Sequence, residues 1–139
     1  MQPDRHCFVC GRENEHGLRV AFRLEGSQVR ATFVPGPGVQ GYDGLAHGGV
    51  LTAVLDDAMV QCLYQRGINA YTGRIAVRFR RPVVIGARLE VYGELVEERA
   101  AFATARAWAT TSDGALVVEA ESTLIRAPAA STADAPRVR

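Results

Sequence analysis

GYDGLAHGGVLTAVLDDAMVQCLYQR, residues 41 to 66, decides the fold, because it is the one long stretch with helical rather than alternating periodicity. It opens on His47-Gly48-Gly49 and carries two carboxylates, Asp56 and Asp57, inside an apolar pattern. Placing residues about 100° apart around a helix axis puts Val50, Leu51, Val54, Leu55, Ala58, Met59 and Cys62 on one half of the surface. That half reads as the face buried against a sheet. Asp56 lies on the other side with Gly49, Thr52, Ala53 and Val60, where a solvated helix would show charged residues. The second face therefore reads as covered too, by another subunit, with Asp56 in the seam. Asp57 falls between the two faces and has the weaker claim to a role. Glycines at a helix start let a ligand approach unpaired N–H groups at the positive end of the helix dipole.

Outward from the helix the chain alternates with a period of two. Leu18, Val20, Phe22 and Leu24 predict a half-buried strand, and Val29, Ala31 and Phe33 a second one across the Glu25-Gly26-Ser27 turn. Pro35-Gly36-Pro37-Gly38 ends that hairpin. Beyond the helix stop at Gly67-Ile68-Asn69, one strand runs from Thr72 to Arg81. It sets Ile75, Val77 and Phe79 on one face, and Thr72, Arg74, Ala76, Arg78 and Arg80 on the other. A strand with Leu89, Val91, Gly93 and Leu95 follows. The next, Ala101 to Thr110, carries an all-alanine face, and the last has Leu116, Val118, Ala120 and Leu124 facing the core. Six strands share one helix, so the economical α+β solution is an antiparallel sheet curved around it.

Composition narrows the function. The chain has 139 residues, 47% apolar and 22% charged, the profile of one globular domain. A net charge of +1 argues against nucleic acid, and all sixteen basic residues are arginine. No apolar run reaches the roughly 20 residues of a bilayer span, and MQPDRHC lacks the layout of a signal peptide, so no membrane partner is expected. With three cysteines, an odd number, a cytoplasmic setting is expected. Cys7-Phe8-Val9-Cys10-Gly11 is a single Cys-x-x-Cys knuckle in the N-terminal segment, 1–17. A structural zinc site wants four ligands, and His6 and His16 match no common spacing, so no metal is expected and the two thiols read as anchors of that segment. Metal ligation and a redox pair are the alternatives. Residues 127–139, APAASTADAPRVR after Arg126, read as a disordered tail outside a single 1–126 domain.

His47-Gly48-Gly49 with Asp56 nine residues after the histidine, Thr72 opening the next strand, and Arg80-Arg81-Pro82 closing it resemble the PaaI-like branch of the hotdog-fold thioesterases. Cys-x-x-Cys-Gly followed by Gly17-Leu18 resembles a subgroup of that family. The resemblance runs from the first cysteine to Arg126. It implies a six-stranded hotdog sheet around the central helix and hydrolysis of an acyl-CoA thioester, with no cofactor beyond the CoA of the substrate. By motif match it makes Asp56 the general base or nucleophile and has the Gly48 amide polarise the thioester carbonyl. It further has His47 orient that turn or the carbonyl, and Thr72 complete the site from a partner subunit. Many relatives carry asparagine where this chain has Gly41, so the adjacent Gln40 is the candidate substitute. Gly49, with Arg74, Arg78, Arg80 and Arg81, would bind the anionic pantetheine-nucleotide tail. Assembly as a homodimer or homotetramer is implied, with sites between subunits. A non-catalytic acyl-CoA-binding protein is the second reading.

Overall fold

A computed structural model describes residues 4–128; the predicted tail lies almost wholly outside them. The order is β1 (Arg23–Glu25), β2 (Gln28–Phe33), α1 (Gly48–Tyr64), β3 (Ala70–Phe79), β4 (Leu89–Glu98), β5 (Phe102–Thr111) and β6 (Leu116–Arg126), with a single 3₁₀ turn at Pro37–Val39. All six strands form one antiparallel sheet in the order β1-β2-β4-β5-β6-β3, and α1 packs across one face of it. This is the expected hotdog arrangement.

The helix comes close to the sheet because the sheet offers it small residues. A Cβ on Gly93 would lie 2.7 Å from the Ala58 carbonyl oxygen, so only glycine fits in β4 beneath that turn of α1. Beside it in β5, Ala103, Ala105, Ala107 and Ala109 are all buried, which explains the alanine face; Ala101 is exposed and precedes the strand. Leu51, Val54, Leu55, Ala58, Met59 and Cys62 of α1 fill the space between, as their spacing predicts, joined by Gln61 and Leu63, which the stripe had not included. Val50 is only half-buried.

Three predicted strands differ from what forms. The first shrinks to three residues, because Leu18 and Val20 donate their amides to Phe8 and Val9 of the N-terminal segment rather than to β2. Arg19, with φ at 52°, breaks the extended run between them. Val20 is still buried, against the core shared with Val9. In β6, Leu116 is exposed, while Val117 joins Val118, Ala120 and Leu124 in the interior.

The strand after the helix holds the change that matters most. Its pairing with β6 slips at Gly73, a β-bulge between Thr72 and Arg74. A Cβ on Gly73 would lie 2.9 Å from Ile125 Cγ1. Register then pairs Thr72 with the buried Leu124, and Arg74, Ala76 and Arg78 with Thr123, Glu121 and Glu119 on the face away from the helix. Thr72 thus leaves the arginine face, where plain alternation would keep it, and turns toward the helix.

Candidate active site

His47 caps α1. Its backbone is extended, its carbonyl accepts the amides of Val50 and Leu51, and its Nδ1 accepts the Gly49 amide at 2.8 Å. The histidine therefore orients the turn, as expected, with Nδ1 serving as an acceptor. The same bond occupies the Gly49 N–H, which removes Gly49 from the candidate ligand donors. Among the described residues the Gly48 N–H has no partner. It is the one N–H of the glycine turn left to receive an oxyanion at the helix N-terminus. The Phe79 ring closes over this glycine, and a Cβ on Gly48 would sit 3.2 Å from the ring's edge. An open groove of about 490 Å³ leads to it, lined by Gln40, Tyr42, Leu45, His47, Gly48 and Pro82.

Gln40 has a different task from the one predicted. Its side-chain NH₂ donates to the Pro37 carbonyl at 2.8 Å, and its oxygen accepts the Gly44 amide at 2.7 Å. Both ends of the amide thus help close the loop before the helix, while the residue still lines the groove. Gly41, in the position of the family's asparagine, packs its backbone against His47, where a Cβ would lie 3.2 Å from the His47 Cα.

Asp56 sits two turns further along α1 on its uncovered side, half-buried. The Thr72 hydroxyl donates to its Oδ1 at 2.5 Å. The bulge at Gly73 makes this bond within one chain, so Thr72 and Asp56 belong to the same subunit. Asp56 and Thr72 therefore come together, but Gly48 does not join them. Eight residues at a rise of about 1.5 Å separate Gly48 from Asp56 by about 12 Å along the axis.

The arginines divide. Arg74, Arg78 and Arg80 lie along the face of the sheet opposite the helix, and Arg80 donates to Glu119 at 3.0 Å. Arg81 follows the strand, before the groove-lining Pro82, and no ion pair holds it among the described residues.

Asp57, which the periodicity left without a role, faces the N-terminal segment. Its carboxylate and the sulfurs of Cys7 and Cys10 all lie within 4.8 Å of one another. Burial pushes its pKa up to about 6, an effect opposed by the Cys10 thiol and reinforced by the charge of Asp56. Burial, and then Asp57, also raise the Cys10 thiol well above the usual range. Spacing could not foresee this meeting, because the cysteines and the aspartate are 47 residues apart or more.

The family model for the thioesterase superfamily matches residues 43–118, from the loop before the helix into β6. The chain belongs to the thioesterase superfamily. Mouse acyl-coenzyme A thioesterase THEM5 is 32% identical over 69 residues, which span 48% of this chain and 28% of that protein's length. Among solved structures, the thioesterase superfamily protein RHA08564 superposes with a TM-score of 0.81 at 28% identity, over 87% of this chain and 60% of the other. The E. coli PaaI protein from the phenylacetic acid degradation operon gives 0.74 at 15% identity over 80% and 81%, a likeness of fold. The superfamily match includes the His47 turn, Asp56, Thr72 and the arginine strand, and leaves out the Cys-x-x-Cys segment.

Proposed function

We propose that this thioesterase-superfamily chain hydrolyses an acyl-CoA thioester, with an aryl or short-to-medium acyl group, to free acid and CoA. The observation that carries the proposal is the hydrogen-bonded Asp56–Thr72 pair on the open side of the helix, together with the free Gly48 amide at its start. The Thr72 hydroxyl fixes one oxygen of Asp56, leaving the other to take a proton from water or to attack the carbonyl carbon directly. As the tetrahedral intermediate forms, the carbonyl oxygen becomes an anion, and the Gly48 N–H with the helix dipole stabilises it. The thiolate of CoA then departs. The name of the THEM5 relative supports acyl-CoA as the substrate class. Arg81, next in sequence to the groove-lining Pro82, is the arginine of the cluster assigned to the phosphates of CoA.

One helix cannot supply both halves of this chemistry, since its Gly48 and Asp56 stand about 12 Å apart. Two antiparallel copies resolve the conflict by setting the Gly48 of one beside the Asp56 of the other. The chain offers the surface for such a pairing. Thr52, Ala53 and Val60 stay half-exposed beside Asp56, and β3 ends the sheet with Ile75 and Val77 half-covered and Phe79 exposed. A ten-residue edge strand with apolar side chains beside an uncovered helix face invites a second copy.

A thiol-release assay across an acyl-CoA panel tests the reading. Asp56→Ala should lower kcat by about 10²- to 10⁴-fold while the assembly stays intact. Wild-type protein that binds acyl-CoA but releases no CoA above background would instead establish a binding protein. Full activity in Asp56→Ala would remove Asp56 from the mechanism.

A further inference from the structure

The N-terminal segment ends its path in a site the hydrolytic chemistry does not use. Cys7 and Cys10 bracket a tight knuckle closed by the Gly11 amide donating to the Cys7 carbonyl at 2.9 Å. Glycine is required there, because a Cβ on residue 11 would lie 2.4 Å from the Cys7 nitrogen and 2.6 Å from its oxygen. This turn aims both sulfurs at α1, and Asp57 meets them from the helix. The Oδ2 atom of Asp57 is fully buried and has no hydrogen-bond partner. No arginine or histidine among the described residues makes an ion pair with this carboxylate. Two thiols and an acid converge, then, with no cationic side chain in ion-pair contact with the acid among the described residues. A cavity of about 530 Å³ opens beside them, bordered by Asp4, Arg5, Arg12 and Gln61, so water and an ion can reach the cluster.

We propose that Cys7, Cys10 and Asp57 bind one zinc ion, with water in the fourth position, and so fasten the N-terminal segment to the helix one residue from Asp56. Two soft thiolates and one carboxylate suit zinc better than calcium or magnesium, which prefer all-oxygen shells. Tetrahedral zinc with bonds of about 2.0–2.3 Å sets its ligand atoms about 3.3–3.8 Å apart, so the three groups need only draw in by roughly 1 Å. On binding, the two thiols release their protons to solvent, and the ion with two thiolates and one carboxylate carries a single negative charge. The Gln61 side-chain NH₂, 3.6 Å from Cys10 Sγ, donates to that sulfur and supports its thiolate form. The site is a tether that holds the Asp56 turn, and the proposal stands whether or not the chain is a hydrolase.

Cobalt titration of the tag-free, chelator-treated, reduced full chain tests it. One equivalent of Co²⁺ should give thiolate-to-metal charge transfer with tetrahedral ligand-field bands, and one equivalent of Zn²⁺ should bleach them. Cys10→Ser should abolish the charge transfer, and Asp57→Asn should keep it at an affinity lower by at least about tenfold. In parallel, zinc should protect two of the three cysteines of the folded wild type from a thiol reagent, a readout that needs no variant to fold. No charge transfer in the wild type would overturn the proposal. So would equal metal uptake by the Cys7→Ser/Cys10→Ser double variant, or a Cys7–Cys10 disulfide forming in air with no metal bound when reduced. Asp57→Asn binding as tightly as wild type would strike the aspartate from the ligand set and with it the tether.

Discussion

At the scale of single residues, the site depends on which polar atoms are already engaged. Thr72 matters because its hydroxyl meets Asp56 Oδ1. Replacing it with the near-isosteric valine removes a hydrogen bond to a carboxylate, worth about 1.5–3 kcal/mol. Thr72→Val should therefore lower kcat by roughly 10- to 100-fold with KM little changed, read by steady-state kinetics on the same acyl-CoA. Gln40 should behave differently: its bonds close a loop, so it belongs to folding rather than to chemistry. Glu94 gives the pH test. Its carboxyl is held below the ordinary value of 4.5 by the Gln28 amide and, after it, by Arg106, partly offset by burial. A depressed acid contributes stability in full above its unfolded pKa and loses it as the pH falls through the folded one. Glu94→Gln should thus unfold slightly more easily at pH 7, by under about 1 kcal/mol, since the Arg106 pair is solvent-exposed. The difference from wild type should vanish on acidification below pH 4.5, as followed by denaturant melts across the pH range.

At the scale of elements, glycines set how helix and strands approach. Gly93 lets α1 lie on β4, and the alanines of β5 continue that floor. Gly93→Ala would drive a methyl against the Ala58 carbonyl, which is backbone and cannot swing aside. It should destabilise the protein by about 1–3 kcal/mol, measured as a lower denaturation midpoint at unchanged m. Gly73 acts on direction rather than distance, because its bulge turns Thr72 to the helix side of the sheet. Alternation in the sequence is a faithful guide to β2, β4 and β5, where no bulge falls within the stretch it was read from. It misleads at Thr72 and at Leu116 because one slipped residue exchanges the two faces. It misleads at Leu18–Phe22 because the backbone partners there come from the N-terminal knuckle, a contact no local pattern records.

At the scale of the whole molecule, the prediction concerns shared sites. Light scattering should return a multiple of 15.0 kDa, and a stable monomer would sink the composite site. Complementation distinguishes a shared site from one confined to a single chain. Gly48→Pro removes the oxyanion donor at a helix position where proline is accepted, and the exposed Phe79 ring has room to move aside. Mixed by unfolding and refolding with equal Asp56→Ala, each inactive alone, it should restore about a quarter of wild-type activity. Half of the resulting dimers are mixed, and each of these keeps one intact site of two. Activity that stays at the level of the parents would place Gly48 and Asp56 in separate roles.

The sequence by itself determined the helix with its His47-Gly48-Gly49 start, most of its core stripe and the six antiparallel strands, because periodicity and spacing are local properties of the chain. Three matters were decided only by tertiary structure. The bulge at Gly73 brought Thr72 to Asp56 within one chain; loop closure engaged the Gln40 amide and the His47 cap engaged the Gly49 amide; and folding carried Cys7 and Cys10 to Asp57. In each case the deciding contact joins groups whose meeting depends on sheet register, turn geometry or chain path, and side-chain pattern along the chain carries no record of those.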